Sequence, residues 1–316
     1  MNIFNKILIR NEFSQQPPVL VDIGASGQIN PKWRDIAKYC CCLIFDPDAR
    51  KMGYVHSQFH KFKKLYVYPA LVHIQSLEAC DFYLTQSPFC SSLLEPDLEN
   101  LENWSYQNLF RINEVKKLKT VQLNKILDEL NLTYVDWFKT DSQGLDLSLF
   151  KSLDSNISQK ALVAEFEPGI IDAYVGEDKL YRLLEYMQNR PFWMVDLKLD
   201  GSCRIKHSLL REKFNDYEVK LFELTMKRSP GWAEVTYFNT FDNPALTLRE
   251  YLLGWVFATI EKQYGFALEL AHRGFSNFHD PVFQELEKES VRMIKRSFLK
   301  TPFLFINKVM RRLKIL

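Results

Sequence analysis

The chain has 316 residues, of which 47% are hydrophobic and 25% are charged, and its formal net charge is +2. These proportions are typical of a globular protein, and the small net charge gives no indication of a nucleic-acid partner. No segment approaches 18 uninterrupted apolar residues, so the sequence predicts no membrane-spanning helix.

The N-terminal residues and the cysteines both favour a cytoplasmic protein. The first ten residues contain neither a long apolar region nor a small-residue cleavage site, so we expect no signal peptide. Cys40, Cys41 and Cys42 are consecutive in a predicted core strand, which is typical of reduced, buried thiols. Because adjacent strand residues point to opposite faces, the triplet is not expected to form a three-thiolate metal site.

The first informative segment, residues 19–27, reads VLVDIGASG. An apolar run that ends in two glycines predicts a buried strand entering a tight loop. In a doubly wound sheet such a loop lies at the carboxyl edge, where nucleotide-like ligands bind. Gly24 and Gly27 would let the backbone approach a ligand closely, because glycine has no Cβ. Asp22 would then lie at the end of the strand, beside the ligand.

A second strand and a second acid follow at a spacing typical of nucleotide-binding folds. Residues 31–38 predict a helix that begins at Pro31, and residues 40–45 predict a buried strand that ends at Asp46. This acid lies about 20 residues beyond the glycine loop, where a ribose-binding carboxylate is expected. One carboxylate can accept hydrogen bonds from both ribose hydroxyls. The alternative is that Asp22 and Asp46 only cap turns or helices.

The sequence patterns of the next segments are weaker than those of residues 19–46. We expect a helix between Asp48 and Phe62 and a third strand at residues 64–68. Residues 81–85 predict a hairpin with the region 91–93, residues 115–121 an edge strand, and residues 123–130 a helix.

Residues 134–144 read YVDWFKTDSQG and predict a strand closed by an acid and a glycine, before an amphipathic helix at 145–153. Lys139 and Asp141 share one face of this strand because of its two-residue period. A lysine that is buried there needs a carboxylate or a ligand nearby. Two interpretations stay open: Asp141 pairs with Lys139 as a structural partner, or both side chains reach the ligand crevice.

The rest of the chain continues the alternation of strands and helices and then becomes helical. Residues 161–167 predict a strand ending at Glu167, followed by a helix at 178–189, a strand at 192–197 and a last antiparallel strand at 217–226. This order predicts an α/β protein with a mainly parallel sheet. From Pro244 the pattern is helical, and Thr247 with Glu250 predicts a capping box.

The C-terminal tail, residues 290–316, contains basic and aromatic residues but no acids. This composition is typical of a helix on an anionic membrane surface, which would place the protein peripherally at the inner membrane face. It is equally typical of a helix whose apolar face packs on the domain and whose charges are solvated.

Five segments, in this order along the chain, resemble the motifs of one family. They are residues 21–27 (VDIGASG), 45–48 (FDPD), 68–71 (YPAL), 91–93 (SSL) and 138–144 (FKTDSQG). This series is similar to the FkbM family of S-adenosylmethionine-dependent methyltransferases, over about residues 18–200. The resemblance implies a class I methyltransferase fold: a Rossmann-like, mainly parallel seven-stranded sheet with helices on both faces. We expect this domain at 1–240 and a helical C-terminal extension at 241–316.

The resemblance also implies an activity and a set of site residues. The expected reaction is transfer of a methyl group from S-adenosylmethionine to a hydroxyl of a sugar, a glycan or a natural product. In this reading Asp46 binds the ribose, the glycine loop binds the methionine part, and Asp141 lies near the sulfonium. The implied cofactor-binding residues are Asp22, Ile23, Gly24, Ala25, Ser26, Gly27, Asp46, Pro47, Asp48, Pro69, Ala70 and Asp141.

The implied catalytic residues are Lys139, Asp141, Gln143 and Glu167. Gln143 stands where many family members have a glutamate, and a glutamine cannot take a proton. If the family's glutamate is a base, Asp141 or Glu167 must replace it here; if it only orients a neighbour, Gln143 can serve. Asp141 and Glu167 could share a divalent metal ion, but structural carboxylates are the commoner outcome, so we expect no metal.

The expected partner is a small-molecule or glycan acceptor. Its pocket would be formed by the inserted hairpin and the loops after Asp141 and Glu167, with Trp104, Tyr106 and Trp232 as aromatic walls. Two alternatives remain. A dinucleotide-dependent oxidoreductase would have a Gly-x-Gly-x-x-Gly loop, which residues 24–27 lack. Gln143 is the only sequence feature that favours the second alternative, an inactive cofactor-binding or scaffold protein.

Overall fold

The computed structural model describes residues 3–25, 29–48, 50 and 61–299. The chain divides into two compact units, Gln15–Asp242 and a second that combines Met1–Ser14 with Asn243–Leu316. The boundary at 242 lies close to the one that we predicted at 240. The first 14 residues, which we assigned to the first domain, group instead with the C-terminal helices.

The larger unit contains a seven-stranded sheet and two sheets of two strands each among the described residues. In chain order the strands are β1 (Val19–Ile23), β2 (Cys41–Phe45), β3 (Lys64–Tyr68), β4 (Leu71–Val72), β5 (Cys80–Thr85), β6 (Ile112–Leu118), β7 (Thr120–Val121), β8 (Trp137–Thr140), β9 (Val163–Phe166), β10 (Phe192–Ser202) and β11 (Ser229–Asn239). The strand order of the main sheet is β10-β11-β9-β8-β1-β2-β3.

The main sheet is parallel except for β11, which runs antiparallel to both β10 and β9. The predicted α/β class with a mainly parallel sheet is therefore confirmed. Strands β2 and β3 extend the sheet on one side of β1, and β8 and β9 extend it on the other. The strand order thus reverses between β1 and β8, and such a switch point is where open α/β sheets bind ligands.

The helices of both units are short to medium in length. In chain order they are α1 (Ile3–Leu8), α2 (Asn11–Gln15), α3 (Leu98–Leu101), α4 (Leu123–Glu129), α5 (Asp146–Ser152), α6 (Ser155–Ser158), α7 (Leu180–Gln188), α8 (His207–Lys213), α9 (Asp216–Thr225), α10 (Leu248–Ile260), α11 (Tyr264–Phe278) and α12 (Val282–Phe298).

The core of the larger unit lies on the two faces of the sheet. Strands β1 and β2 are buried at every position because both of their faces are covered. On one face Phe138 packs in a cluster with Leu127, Phe150 and Leu183 from α4, α5 and α7. Trp137 points to the opposite face and packs edge-on against Trp33, with ring centroids 6.0 Å apart.

The prediction of a last antiparallel strand at 217–226 is wrong. Those residues form α9, which begins at the cap residue Asn215. The Asn215 side chain accepts from the Tyr217 and Glu218 N–H groups at 3.0 Å, and Glu218 accepts from the Asn215 N–H at 2.9 Å. This capping box starts a helix where the apolar run had suggested a strand. The antiparallel strand is β11 instead.

Two further predictions differ from the structure in their details. Strand β5 pairs antiparallel with β6 rather than with residues 91–93, of which Ser92 contributes a single isolated bridge to Tyr83. The helix predicted at 31–38 is two short 3₁₀ segments, Pro31–Asp35 and Ala37–Tyr39. The helix predicted between Asp48 and Phe62 lies largely outside the described residues.

The smaller unit is built on α10, α11 and α12. The predicted start of α10 is confirmed, because Glu250 Oε2 accepts from the Thr247 N–H at 2.8 Å. The apolar residues of α12 that lie closest to its start, including Phe283 and Leu286, are buried. No helix in the described part of the chain is long and apolar enough to cross a membrane. Most of the basic tail, from residue 300 onward, lies outside that part.

Candidate functional site

A glycine turn follows β1. Gly24 has a φ of +77°, and its N–H donates to the Phe45 carbonyl at 2.8 Å. A Cβ on Gly24 would lie only 1.9 Å from the backbone oxygen of Asp141. Glycine is therefore required both by the backbone conformation and by the close approach of the turn to the end of β8. Ser26 and Gly27, which we predicted in the same loop, lie outside the described residues.

Lys139 pairs with Asp22 and not with Asp141. The two residues are partners in the register of β1 and β8, and Lys139 Nζ donates to Asp22 Oδ1 at 2.7 Å. Asp22 is fully buried, and its other oxygen accepts from the Asn30 N–H at 3.3 Å. Burial lowers the pKa of Lys139, but the charges of Asp22 and Asp141 outweigh it and raise the pKa above its ordinary value. Lys139 therefore stays protonated and is unsuited to act as a base.

Asp46 directly follows β2, and only one of the two oxygens of its buried carboxylate accepts a described hydrogen bond. The residue is 3% exposed, and its Oδ1 accepts from the Asp48 N–H at 2.8 Å. No described group donates to its Oδ2. Burial above all, together with the charges of Asp48 and Asp141, raises the pKa of Asp46 to about 7. A buried carboxylate oxygen of this kind is costly unless a ligand supplies donors.

Asp48, in contrast, has its own cationic partner. Arg50 Nε donates to both Asp48 carboxylate oxygens at 2.9 Å. The same guanidinium donates to the Thr85 carbonyl at 3.0 Å and to Ser91 Oγ at 2.9 Å. Burial opposes ionisation of Asp48, but the hydrogen bonds from Arg50 outweigh it and lower its pKa. This ion pair joins the loop after β2 to the segment after β5, and nothing in the sequence pattern identified Arg50.

These elements enclose a cleft that we name the Asp46 cleft, with a volume of about 610 Å³ including its open mouth. Its other walls are apolar and include Leu71, Phe82, Phe89 and Leu93. The predicted cofactor-binding residues that line it are Ile23, Gly24, Asp46, Pro47, Asp48, Ala70 and Asp141. Asp22, Ala25 and Pro69 are not part of its described lining.

Asp141 is held by a chain of hydrogen bonds from the loop after β8. Gln143 Nε2 donates to Asp141 Oδ1 at 2.5 Å, and Tyr174 Oη donates to Gln143 Oε1 at 2.9 Å. The backbone of Gln143 has a φ of +56°, and its carbonyl accepts from Ser92 Oγ at 2.7 Å. Sequence reasoning identified Asp141 and Gln143 as site residues. It named Ser92 only as part of the motif at 91–93, and it missed Tyr174, which comes from a distant part of the chain.

Another residue that sequence reasoning missed is Asp146, at the start of α5. Its Oδ1 accepts from Thr140 Oγ1 at 3.0 Å and from the Ser142 N–H at 2.8 Å, and its Oδ2 accepts from the Glu167 N–H at 2.6 Å. Burial raises the pKa of Asp146 despite these bonds. The side chain joins the ends of β8 and β9, and so it sets the positions of Asp141 and Glu167.

A second cleft lies at the ends of β8, β9 and β11, with a volume of about 950 Å³ including its open mouth. We name it the Glu167 cleft; Asp141 lines it as well as the Asp46 cleft. Its three lysines are paired: Lys32 with Glu165 at 3.3 Å, Lys139 with Asp22 at 2.7 Å and Lys198 with Glu234 at 3.1 Å. Burial, followed by the charges of Asp141 and Asp146, raises the pKa of the Glu167 carboxyl well above its ordinary value.

The three aromatic residues that we expected around an acceptor do not line either cleft within the described residues. Tyr106 and Trp232 pack together, with ring centroids 6.1 Å apart, and line a third cavity with Ser105 and Arg228. Trp104 packs against the guanidinium of Arg204 at 5.3 Å. Across the described ranges, no group of three or more His, Cys, Asp and Glu side chains is arranged to hold a metal ion.

A scan of the sequence against protein-family models, a search of curated proteins and a search of solved structures each find no significant match.

Proposed function

We propose that this chain is an S-adenosylmethionine-dependent O-methyltransferase whose acceptor is a hydroxyl of a sugar, a glycan or a natural product. The observation that carries the proposal is the carboxylate of Asp46, which is buried beside the glycine turn and has one oxygen without a described donor. The ribose of a nucleoside has two adjacent hydroxyl donors that fit such an acceptor.

The topology of the main sheet supports a methyltransferase over a dinucleotide-binding enzyme. A dinucleotide-binding sheet has six strands in the order 3-2-1-4-5-6. Here β11 is inserted in reverse between β9 and β10. The class I methyltransferase sheet that the sequence motifs imply has seven strands and is mainly parallel, and the main sheet described here has both features. The sequence of the loop after β1 also lacks the three-glycine pattern of the loop that brings a pyrophosphate onto a helix.

The residues of the Asp46 cleft fit S-adenosylmethionine. Asp46 would hold the ribose, apolar side chains such as Leu71 and Phe82 would contact the base, and Gly24, which also lines the cleft, would lie beside the methionine part. When bound, this group supplies a methyl group already activated by a sulfonium charge. The protein then has to align the acceptor and manage its proton.

The two clefts suggest how the acceptor proton is handled. Asp141 lines both clefts, so a hydroxyl bound in the Glu167 cleft would lie beside it. Burial raises the pKa of both Asp141 and Glu167, and Glu167 has the higher pKa. Near neutral pH Glu167 therefore holds a proton and can donate a hydrogen bond to the acceptor. Asp141 is ionised and takes the hydroxyl proton. Lys139 stays protonated, and its positive charge favours the ionised form of Asp141.

Binding of S-adenosylhomocysteine, measured by isothermal titration calorimetry, tests the cofactor assignment. We expect micromolar binding by the wild-type chain and a loss of more than tenfold for Asp46→Asn, about 1.4 kcal/mol. Asp128→Asn, which changes an exposed carboxylate on α4, is the matched control and should bind like the wild type.

Three results would contradict the proposal or narrow it. Preferential binding of NAD would replace it with the oxidoreductase alternative. Unchanged affinity in Asp46→Asn would remove the ribose assignment. Binding of S-adenosylhomocysteine without methyl transfer to any member of a panel of sugars, glycans and natural products would favour the inactive scaffold.

A further inference from the structure

We propose that Tyr174 is a positioning residue: through Gln143 it holds a hydrogen-bond donor against Asp141 and so keeps Asp141 ready to accept a proton. The reaction that this serves rests on the proposed function, but the hydrogen-bond chain and its effect on Asp141 do not. The chain runs from the Tyr174 hydroxyl to Gln143 Oε1 over 2.9 Å, and from Gln143 Nε2 to Asp141 Oδ1 over 2.5 Å.

The direction of this chain follows from the charge on Asp141. If the amide of Gln143 were turned by 180°, its oxygen would face an ionised carboxylate oxygen at 2.5 Å, and two acceptors would repel each other. Ionised Asp141 therefore requires the amide nitrogen on its side. The amide oxygen must then face Tyr174, whose hydroxyl proton it accepts.

Tyr174 is well placed to keep the amide in that orientation. Its side chain is 4% exposed, and its ring packs against Phe110 at 5.6 Å between centroids. Burial raises the pKa of Tyr174 far above its usual range, so the phenol stays neutral and keeps its one proton. The hydroxyl also lies 2.9 Å from the Cys90 carbonyl, a competing acceptor. Protonation of Asp141 on Oδ1 would permit the reverse amide orientation, in which Tyr174 donates to Cys90.

Gln143 matters because most charged groups around Asp141 disfavour its ionised form. Burial, together with nearby acids, raises the pKa of Asp141 to about 6, although Lys139 and the Gln143 hydrogen bond lower it. Among the described residues, the titratable groups that interact with Asp141 include Asp22 on β1, Asp46 after β2, Cys90 after β5, Lys139 on β8, Asp146 on α5, Glu167 after β9 and Tyr174. Loss of the Gln143 donor must therefore raise the pKa of Asp141.

This arrangement also explains why an uncharged residue suits position 143. A glutamate there would bring a second negative charge to within hydrogen-bond distance of Asp141, and it could donate only when protonated. A glutamine donates without adding charge. The substitution that distinguishes this chain from the motif it resembles is therefore compatible with a working base at Asp141.

The pKa of Asp141, measured by carboxyl ¹³C NMR on aspartate-labelled protein and assigned with Asp141→Asn, tests the proposal without methyl transfer. We expect Tyr174→Phe to raise this pKa by about half a unit and Gln143→Leu by about one unit, as the loss of one hydrogen bond predicts. In the Gln143→Leu background, Tyr174→Phe should add no further shift. Gln143→Glu should raise the pKa more than either variant.

Tyr237→Phe is the matched control, because Tyr237 is equally buried and packs in the core cluster on β11. A shift in Tyr174→Phe no larger than in this control would overturn the proposal. The acidic limb of the pH profile for methyl transfer should move upward by the same amount as the pKa. If Tyr174→Phe does not fold, the Gln143→Glu and Gln143→Leu shifts decide, and an unchanged pKa in both overturns the proposal.

The same samples separate this proposal from the proposed function. Failure to bind S-adenosylhomocysteine, with the pKa shifts present, would reject the methyltransferase assignment alone. Normal binding in wild type and in Tyr174→Phe, with no pKa shift, would reject the role of Tyr174 alone.

Discussion

Asp46 shows at the scale of one residue how the proposed binding site would cost stability in the free protein. Its carboxylate has one described backbone donor, so burial and then the charges of Asp48 and Asp141 disfavour ionisation and raise its pKa to about 7. A ligand with two hydroxyl donors would offset that cost and lower the pKa again. Asp22 and Asp48 are equally buried, but each has a cationic partner in Lys139 or Arg50. Asp46 is therefore the acid of these three that is suited to a ligand.

This difference predicts that ligand binding releases protons. At pH 7 about half of the Asp46 side chains carry a proton before binding, and hydroxyl donors from the ligand favour the ionised form. We expect S-adenosylhomocysteine to release up to about half a proton at pH 7 and to bind more tightly as the pH rises from 6 to 8. Calorimetry in two buffers with different ionisation enthalpies measures the release. Asp46→Asn should abolish it; proton uptake, or equal release by the variant, would contradict the assignment.

At the scale of elements, the site depends on how the ends of β8 and β9 are joined. Asp146 connects them, because its Oδ1 accepts from the Ser142 N–H after β8 and its Oδ2 accepts from the Glu167 N–H after β9. The chain places this acid in the first turn of α5, where a carboxylate would be expected to interact only with its own helix. Instead it bonds to the Glu167 backbone, 21 residues away.

Asp146→Asn should destabilise the protein by about 1–3 kcal/mol, because an amide has one acceptor oxygen where the carboxylate has two, and its NH₂ group would face a backbone donor. Equilibrium urea unfolding followed by tryptophan fluorescence measures the change. Asp128→Asn is again the control for a surface carboxylate. A change no larger than in that control would mean that the Asp146 bonds contribute little to stability.

At the scale of the whole molecule, acids with raised pKa values outnumber acids with lowered pKa values among the described residues. Asp46, Asp141, Asp146, Glu167 and Glu177 have raised pKa values, whereas Asp48 and Glu12 have lowered ones. An acid whose pKa is higher in the folded state binds more protons when folded. Its contribution to stability is complete below the pKa of the unfolded chain, and it is lost as the pH rises through the folded value.

We therefore expect the free protein to lose about 2–4 kcal/mol of unfolding free energy between pH 5 and pH 8, the window of Asp46. Urea titrations across this range measure the loss. Asp46→Asn should flatten the dependence and be more stable than the wild type at pH 8. If the free energy of unfolding rises with pH over this window, the acids with lowered pKa values dominate the pH dependence of stability.

Several features of this protein follow from the sequence by local rules. The fully buried strands β1 and β2, the glycine that closes β1, the acid at the end of β2 and the capped start of α10 all come from patterns within about ten residues. The prediction for residues 217–226 was wrong because two sequence signals overlap there: an apolar run with a two-residue period and a capping box that starts a helix. Strand pairing is not a local property, which is why the partner of β5 was misidentified.

The tertiary structure alone decided how the site is connected. Lys139 bonds to Asp22 because the register of β1 and β8 makes them neighbours across 117 residues of sequence. Tyr174 reaches Gln143 from 31 residues away, and Arg50 reaches Ser91 from 41. The two-residue period of a strand determines which face of the sheet a side chain occupies. Its hydrogen-bond partner depends on which distant backbone passes beside it, and only the packed sheet determines that.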